Sequence, residues 1–87
     1  MLKSKKFATR LIDMPIVSTE GTMIGRLDDI VLNDESGDIS MFLITPAGEK
    51  IPHFKKDEKG RYMIPYVYVK TGKDVFVVDL LRIPKAD

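Results

Sequence analysis

Cysteine and tryptophan are absent from this 87-residue chain, and histidine occurs once. Without cysteine, neither disulfides nor thiolate metal sites can support the fold, and the composition fits a reducing cytoplasm. His53 is the lone imidazole, so a metal site would need carboxylates for all its other ligands; it reads as an ordinary edge histidine, and no metal or cofactor is expected. Long apolar runs are missing as well. The longest are strand-length, far below the roughly 20 residues of a membrane helix, and the N-terminus has no apolar segment of the signal-peptide kind. A soluble intracellular protein without a membrane partner is expected. Nor is one sign of charge in surplus: 14 Lys and Arg stand against 13 Asp and Glu. That balance gives no electrostatic case for a dedicated nucleic-acid binder.

At this size a fold buries only about 60% of the surface its unfolded chain exposes. One domain with a thin core follows, and self-association is the support left to it. Hydrophobic residues make up 44% and charged residues 31%, which keeps the chain out of the regime of disorder. Strand-length apolar segments recur roughly every ten residues between turn-forming clusters, with no sustained helical period. This spacing argues for an all-β barrel or sandwich.

Residues 1–10, with Lys3, Lys5 and Lys6, read as a flexible basic tail, 11–80 as the folded domain, and 81–87, with Pro84, as a C-terminal tail. Pro15 stops any helical turn begun by Phe7, Leu11 and Ile12, and a first strand runs from Ile16 to Ser18. From Gly21 to Ile39 the chain reads as turn, strand, turn, strand, with a glycine at each reversal. Within the strand from Met23 to Leu32, Leu27 and Ile30 are an odd number of residues apart, whereas Ile30 and Leu32 are in register. One added residue near Asp28 and Asp29 would bring Leu27, Ile30 and Leu32 to one face, with Asp29 accepting backbone N–H bonds. That is a β-bulge, whose bend and twist favour closure into a small barrel.

Asn33 to Gly37 has the composition of a helical turn ended by a left-handed glycine. Ile39 to Thr45 is the returning strand and Lys50 to Phe54 an edge strand in which Pro52 cannot donate. Lys55 to Gly60 is a mixed-charge hairpin loop, Tyr62 to Ile64 a further strand, Pro65 to Tyr68 one turn of tight helix, and Val75 to Val78 the last strand. The expected architecture is a small, strongly bent antiparallel β-barrel of about six short strands. Gly21, Gly25, Asp29, Gly37 and Pro65 are its fold-specifying residues.

Asp28 and Asp29 are adjacent in a strand, where neighbours point to opposite faces, so they do not read as an acid/base pair. Gly21 to Gly25 lacks the lysine and helix of a phosphate loop. No catalytic set is found. A small-molecule substrate is not expected either, because so small a barrel is filled by its own side chains. Lys55, Lys56, Lys59 and Arg61, beside Tyr62, form a basic, aromatic-flanked segment of the kind RNA uses, interrupted by Asp57 and Glu58. A solvated loop is the preferred reading there, with RNA contact as the alternative.

The sharper signal is an excess of apolar side chains on strands expected to alternate. Met41, Phe42, Leu43, Ile44, Tyr66, Tyr68, Val75, Phe76 and Val77, with Val78, exceed what one small barrel holds. Either the terminal segments Phe7 to Ile12 and Leu80 to Ile83 cover the outer face, or these residues form an interface, most simply a two-fold homodimer. The interface is favoured.

This pattern resembles the PRC-barrel family, the β-barrel of the photosynthetic reaction-centre H subunit and of the C-terminal half of a bacterial ribosome maturation factor. The matching residues are Pro15-Ile16-Val17, Gly21, Ile24-Gly25, Leu27, Asp29, Ile30, Val31, Gly37, Ile64-Pro65 through Val69, and Val75 to Asp79. These are turn glycines and core aliphatics, which specify a fold rather than a chemistry. The length is most similar to that of stand-alone archaeal members. For those, the resemblance implies a non-enzymatic adaptor in a multiprotein assembly such as the division machinery built on the tubulin-like FtsZ ring. The ribosome factor has a second, N-terminal domain without counterpart here, so an RNA or ribosome-assembly role is the alternative.

Overall fold

A computed structural model describes residues 10–48, 50, 51 and 54–83. The expectations for residues 1–9, for Pro52 and His53, and for Pro84 onward fall outside them. Seven strands form one sheet: β1 (Pro15–Ser18), β2 (Met23–Leu32), β3 (Ile39–Pro46), β4 (Lys55–Lys56), β5 (Tyr62–Pro65), β6 (Val69–Thr71) and β7 (Phe76–Val78). Two 3-10 turns, Tyr66–Tyr68 and Leu80–Arg82, complete the described structure. The strand order is β4-β5-β3-β2-β1-β7-β6. All neighbours are antiparallel except β1 and β7, which run parallel.

The all-β, strongly bent architecture is therefore present, but the sheet is open, with β4 and β6 as its edges. Its curl is evident from two rings. Phe42 on β3 and Phe76 on β7 are three ladder steps apart, about 14 Å in a flat sheet, yet their centroids lie 4.9 Å apart, edge to face. The seventh strand, β6, went unforeseen because three residues carry no readable period. Of the expected edge strand from Lys50 to Phe54, the described residues Lys50, Ile51 and Phe54 lie outside the ladder, and the two-residue β4 follows them. The buried Tyr62 hydroxyl accepts the Ile51 N–H at 3.1 Å, and Phe54 packs edge to face on the Tyr62 ring at 5.1 Å. Those two contacts hold Ile51 and Phe54 against the core rather than in the ladder.

The bulge lies where the alternation breaks. Leu27 pairs with Ile44 and Asp29 with Leu43, leaving Asp28 without an opposite residue. The Asp29 carboxylate accepts the Ile30 N–H at 2.8 Å. A second irregularity between Val31 and Leu32 was not foreseen; it leaves Leu32 exposed instead of inward beside Leu27. A third, where Ile16 pairs with Gly25 and Val17 with Met23, skips Ile24. Gly25 thus sits inside β2 rather than at a reversal, whereas Gly21 and Gly37 occupy turns at φ +88° and +76°. In the β2–β3 loop the Asn33 side chain accepts the N–H groups of Glu35 and Ser36, and the Gly37 N–H donates to the Asn33 carbonyl. Pro65 ends β5 and leads into the tight turn at Tyr66–Tyr68.

The core occupies one face of the curled sheet. Ile16, Ile24, Leu27, Phe42, Ile44, Ile51, Phe54, Tyr62, Ile64, Phe76 and Val78 form it, with Leu11, Ile12, Leu80 and Ile83 packed against it. The described terminal segments therefore extend the core.

Candidate functional site

The core divides the apolar residues picked out in the sequence. Phe42, Ile44 and Phe76 are fully or nearly fully buried core members and are not available to a partner. Tyr66 packs on the core with its ring 5.3 Å from that of Phe42. Tyr68, Val75 and Val77 are half-buried, Val77 on the face of β7 away from Phe76 and Val78. Met41 and Leu43 lie on the reverse face of β3, because side chains alternate and Phe42 and Ile44 face inward.

Register shows what accompanies them. Leu43 is opposite Asp29 on one side and Met63 on the other, and Met63 is opposite Lys55. A row Asp29–Leu43–Met63–Lys55 thus crosses β2, β3, β5 and β4 on the reverse face. The next row holds Val31, Met41 and Pro65. Leu43 is only 9% exposed yet stands outside the core cluster, as do Met41 and Met63, while Val31 is 41% exposed. Sequence inspection missed Met63, Val31, Asp29 and Lys55 as companions of Leu43, because they come together only through strand register.

The cationic segment is largely engaged. Arg61 immediately precedes β5, and its guanidinium donates from Nε to Asp57 and from Nη1 to Asp28, both at 2.7 Å. Since β3 separates β5 from β2, this side chain crosses β3 and ties the β4–β5 hairpin to the bulge. Burial pushes the Asp57 carboxyl upward. Hydrogen bonds from the Arg61 backbone and side chain and the Lys59 backbone, with the Arg61 charge, outweigh it and hold the carboxyl below its ordinary value. Hydrogen bonds to Asp28 and Asp57 raise the Arg61 pKa further. Lys56 Nζ lies 5.6 Å from the Tyr62 ring centroid. Tyr62 itself is buried, so it offers no stacking platform to a base. Of the four cations considered for RNA, Lys55, Lys56 and Lys59 are exposed, and the side chains of Lys55 and Lys59 take no part in these contacts.

Among the described residues no three His, Cys, Asp or Glu side chains gather to hold a metal ion, and no helix is long and apolar enough to cross a membrane. Ser18, not singled out in the sequence, is buried because its hydroxyl accepts the N–H groups of Glu20 and Thr22 and shapes the β1–β2 turn.

The sequence profile of the PRC-barrel domain matches residues 4–82. The chain is also similar to "Uncharacterized protein MJ1118" of Methanocaldococcus jannaschii, at 33% identity over 72 residues, which make up 83% of this chain and 79% of the relative.

Proposed function

This chain belongs to the PRC-barrel domain family, and from that premise we propose that it is a non-enzymatic adaptor that binds another protein through the reverse face of β2, β3 and β5. The observation that carries the reading is the cluster of Leu43, Met41, Met63 and Val31 on the side of the sheet away from the core. Solvated sheet faces are ordinarily polar at such positions. Methionine suits a binding surface, since its unbranched, polarisable side chain adapts to varied shapes. The assembly served is a multiprotein one such as the FtsZ-based division machinery, in the cytoplasm.

Affinity capture of the tagged protein from native lysate, with and without ribonuclease, tests this beside a Val31→Glu variant, since Val31 is the exposed apolar member of this face. Ribonuclease-resistant recovery of FtsZ-ring components, lost with Val31→Glu, supports the adaptor. Recovery of ribosomal or RNA-processing proteins that vanishes with ribonuclease overturns it in favour of RNA assembly.

A further inference from the structure

The two edges of the open sheet differ in kind. Edge β4 is two residues long and both are lysines, the short, charged form that discourages further pairing. Edge β6 sets Lys70 between the β-branched Val69 and Thr71, residues suited to a pleated strand. We infer that the β6 edge is a second protein-binding site, which takes an extended segment of a partner protein as an added antiparallel strand, with an acidic residue opposite Lys70 and apolar residues on either side of it. This site is separate from the reverse face of β2, β3 and β5 and goes beyond the reading given for that face.

Hydrogen bonding in the β6–β7 hairpin shows which groups face outward. The Gly72 N–H donates to the Val75 carbonyl at 2.8 Å. Bonded and non-bonded pairs alternate in an antiparallel ladder, so Lys70 and Val77 form the next bonded pair, while Val69–Val78 and Thr71–Phe76 are non-bonded. The Val78 carbonyl agrees, since it turns away from β6 to accept the Thr19 N–H at 3.1 Å. The main-chain groups of Val69 and Thr71 therefore point away from β7. The Val69 N–H is taken by the Tyr66 carbonyl. The Thr71 N–H and the carbonyls of Val69 and Thr71 have no partner among the described residues. In the antiparallel arrangement, the more stable one, one residue of an added strand exchanges two bonds with Thr71, and the residue two places on donates to Val69. The residue between them lies opposite Lys70 in a non-bonded pair, where cross-strand side chains come closest. Lys70 is exposed and outside the ion pairs of the described residues, so Glu or Asp is favoured there. Val69 packs against the core, so the two flanking residues, which share its face, are apolar. Val67, 76% exposed in the turn before β6, adds an apolar contact beside that end.

The probe is a capped Ser-Thr-Val-Glu-Val-Thr-Ser peptide, titrated to about 2 mM into isotopically labelled protein, because so short a strand binds at about 100 μM to about 1 mM. In the protein alone the Thr71 amide exchanges with solvent unprotected. With the peptide its exchange slows about 3- to 20-fold, and the NMR shift changes centre on Val69 to Gly72. Thr71→Pro removes the outward N–H and leaves the Lys70 and Gly72 bonds to β7 in place, as an edge strand tolerates; it weakens binding about 2- to 10-fold. Lys70→Glu rejects this peptide and accepts its Val-Lys-Val counterpart, an inversion that a misfolded variant would not show. Val31→Glu leaves peptide binding unchanged, so failure here and failure of the reverse-face reading are seen separately; a loss with Val31→Glu would place the peptide on that face and overturn the edge assignment. A Thr71 amide already protected in the protein alone overturns it too, the edge then being covered by the chain itself or, where protection rises with protein concentration, by a second copy. A peptide that leaves the β6 signals unmoved, or a Lys70→Glu variant that keeps the preference for glutamate, does the same.

Discussion

A methyl group on Gly25 would be centred 2.1 Å from the Thr45 carbonyl oxygen and 2.8 Å from Cγ2 of Ile44. Gly25→Ala is therefore a test of how tightly β2 and β3 are drawn together. To reach even 3.0 Å from that oxygen the strands must part by about 0.9 Å, and the obstacle is backbone rather than a flexible side-chain end. The displacement falls where Gly25, Arg26 and Leu27 pair with Pro46, Thr45 and Ile44, on the longest ladder of the sheet. Overpacking costs about 1–3 kcal/mol, and the two nearest ladder hydrogen bonds add about 1 kcal/mol each, a total of about 3–5 kcal/mol. For 87 residues the whole stability is about 4–13 kcal/mol, so the variant is marginal or unfolded. The assay is urea unfolding followed by circular dichroism, with Gly60→Ala as reference. Gly60, unlike Gly25, sits at positive φ, +80°, but a Cβ there meets open space, so strain alone costs it about 1–2 kcal/mol. A Gly25→Ala cost no greater than that of Gly60→Ala would refute the close approach of β2 to Thr45.

Tyr62→Phe leaves the buried Ile51 amide without its acceptor, so stability falls by about 1–3 kcal/mol and hydrogen exchange at Ile51 accelerates; unchanged exchange there would contradict the bond. Because the folded pKa of Asp57 is depressed, its contribution is fully present above its ordinary value of 3.8 and is lost as pH falls through the lower, folded value. Urea midpoints measured down through that window should drop more for wild type than for Asp57→Asn, and parallel profiles would remove the Arg61–Asp57 pair from the account. Asp74 stands at φ +79° in the β6–β7 turn, so Asp74→Gly relieves strain and raises stability by about 0.5 kcal/mol after the glycine's own entropy cost; a lower thermal midpoint would count against this.

The bulge was legible in the sequence because it is a local break in a period of two: Leu27 and Ile30 cannot share a face unless a residue is added between them. The Asn33 to Gly37 turn and the tight turn after Pro65 were legible for the same reason, since the chemistry that makes them lies within a few residues. What escaped was long-range. Nothing in Val69, Lys70 and Thr71 announces a strand until Phe76 to Val78 lies beside them. Nothing in Lys50 to Phe54 says that the Tyr62 hydroxyl, 11 residues on, will take the Ile51 amide. The apolar excess on β3 was visible, but its division was not. Met41 and Leu43 separate from Phe42 and Ile44 only once it is known which face the other strands cover.

The cations that suggested a nucleic-acid partner bear on the same point from the other side. A mixed run from Lys55 to Arg61 reads as a solvated loop or a phosphate contact, because composition records charges without their partners. In the folded chain Asp28 is the residue left unpaired by the bulge, and its carboxylate meets Arg61 from across β3. The bulge thus both bends β2 and supplies the acid that holds the β4–β5 hairpin in register. That register is what aligns Leu43 with Met63 and sets Asp29 and Lys55 at opposite ends of one row. A slip of one residue between β3 and β5 would turn Met63 inward and expose Tyr62 and Ile64. The Asp28–Arg61–Asp57 contacts oppose that slip. Arg61, read in isolation as a contact for RNA, is better understood as the residue that keeps the candidate protein-binding face in order.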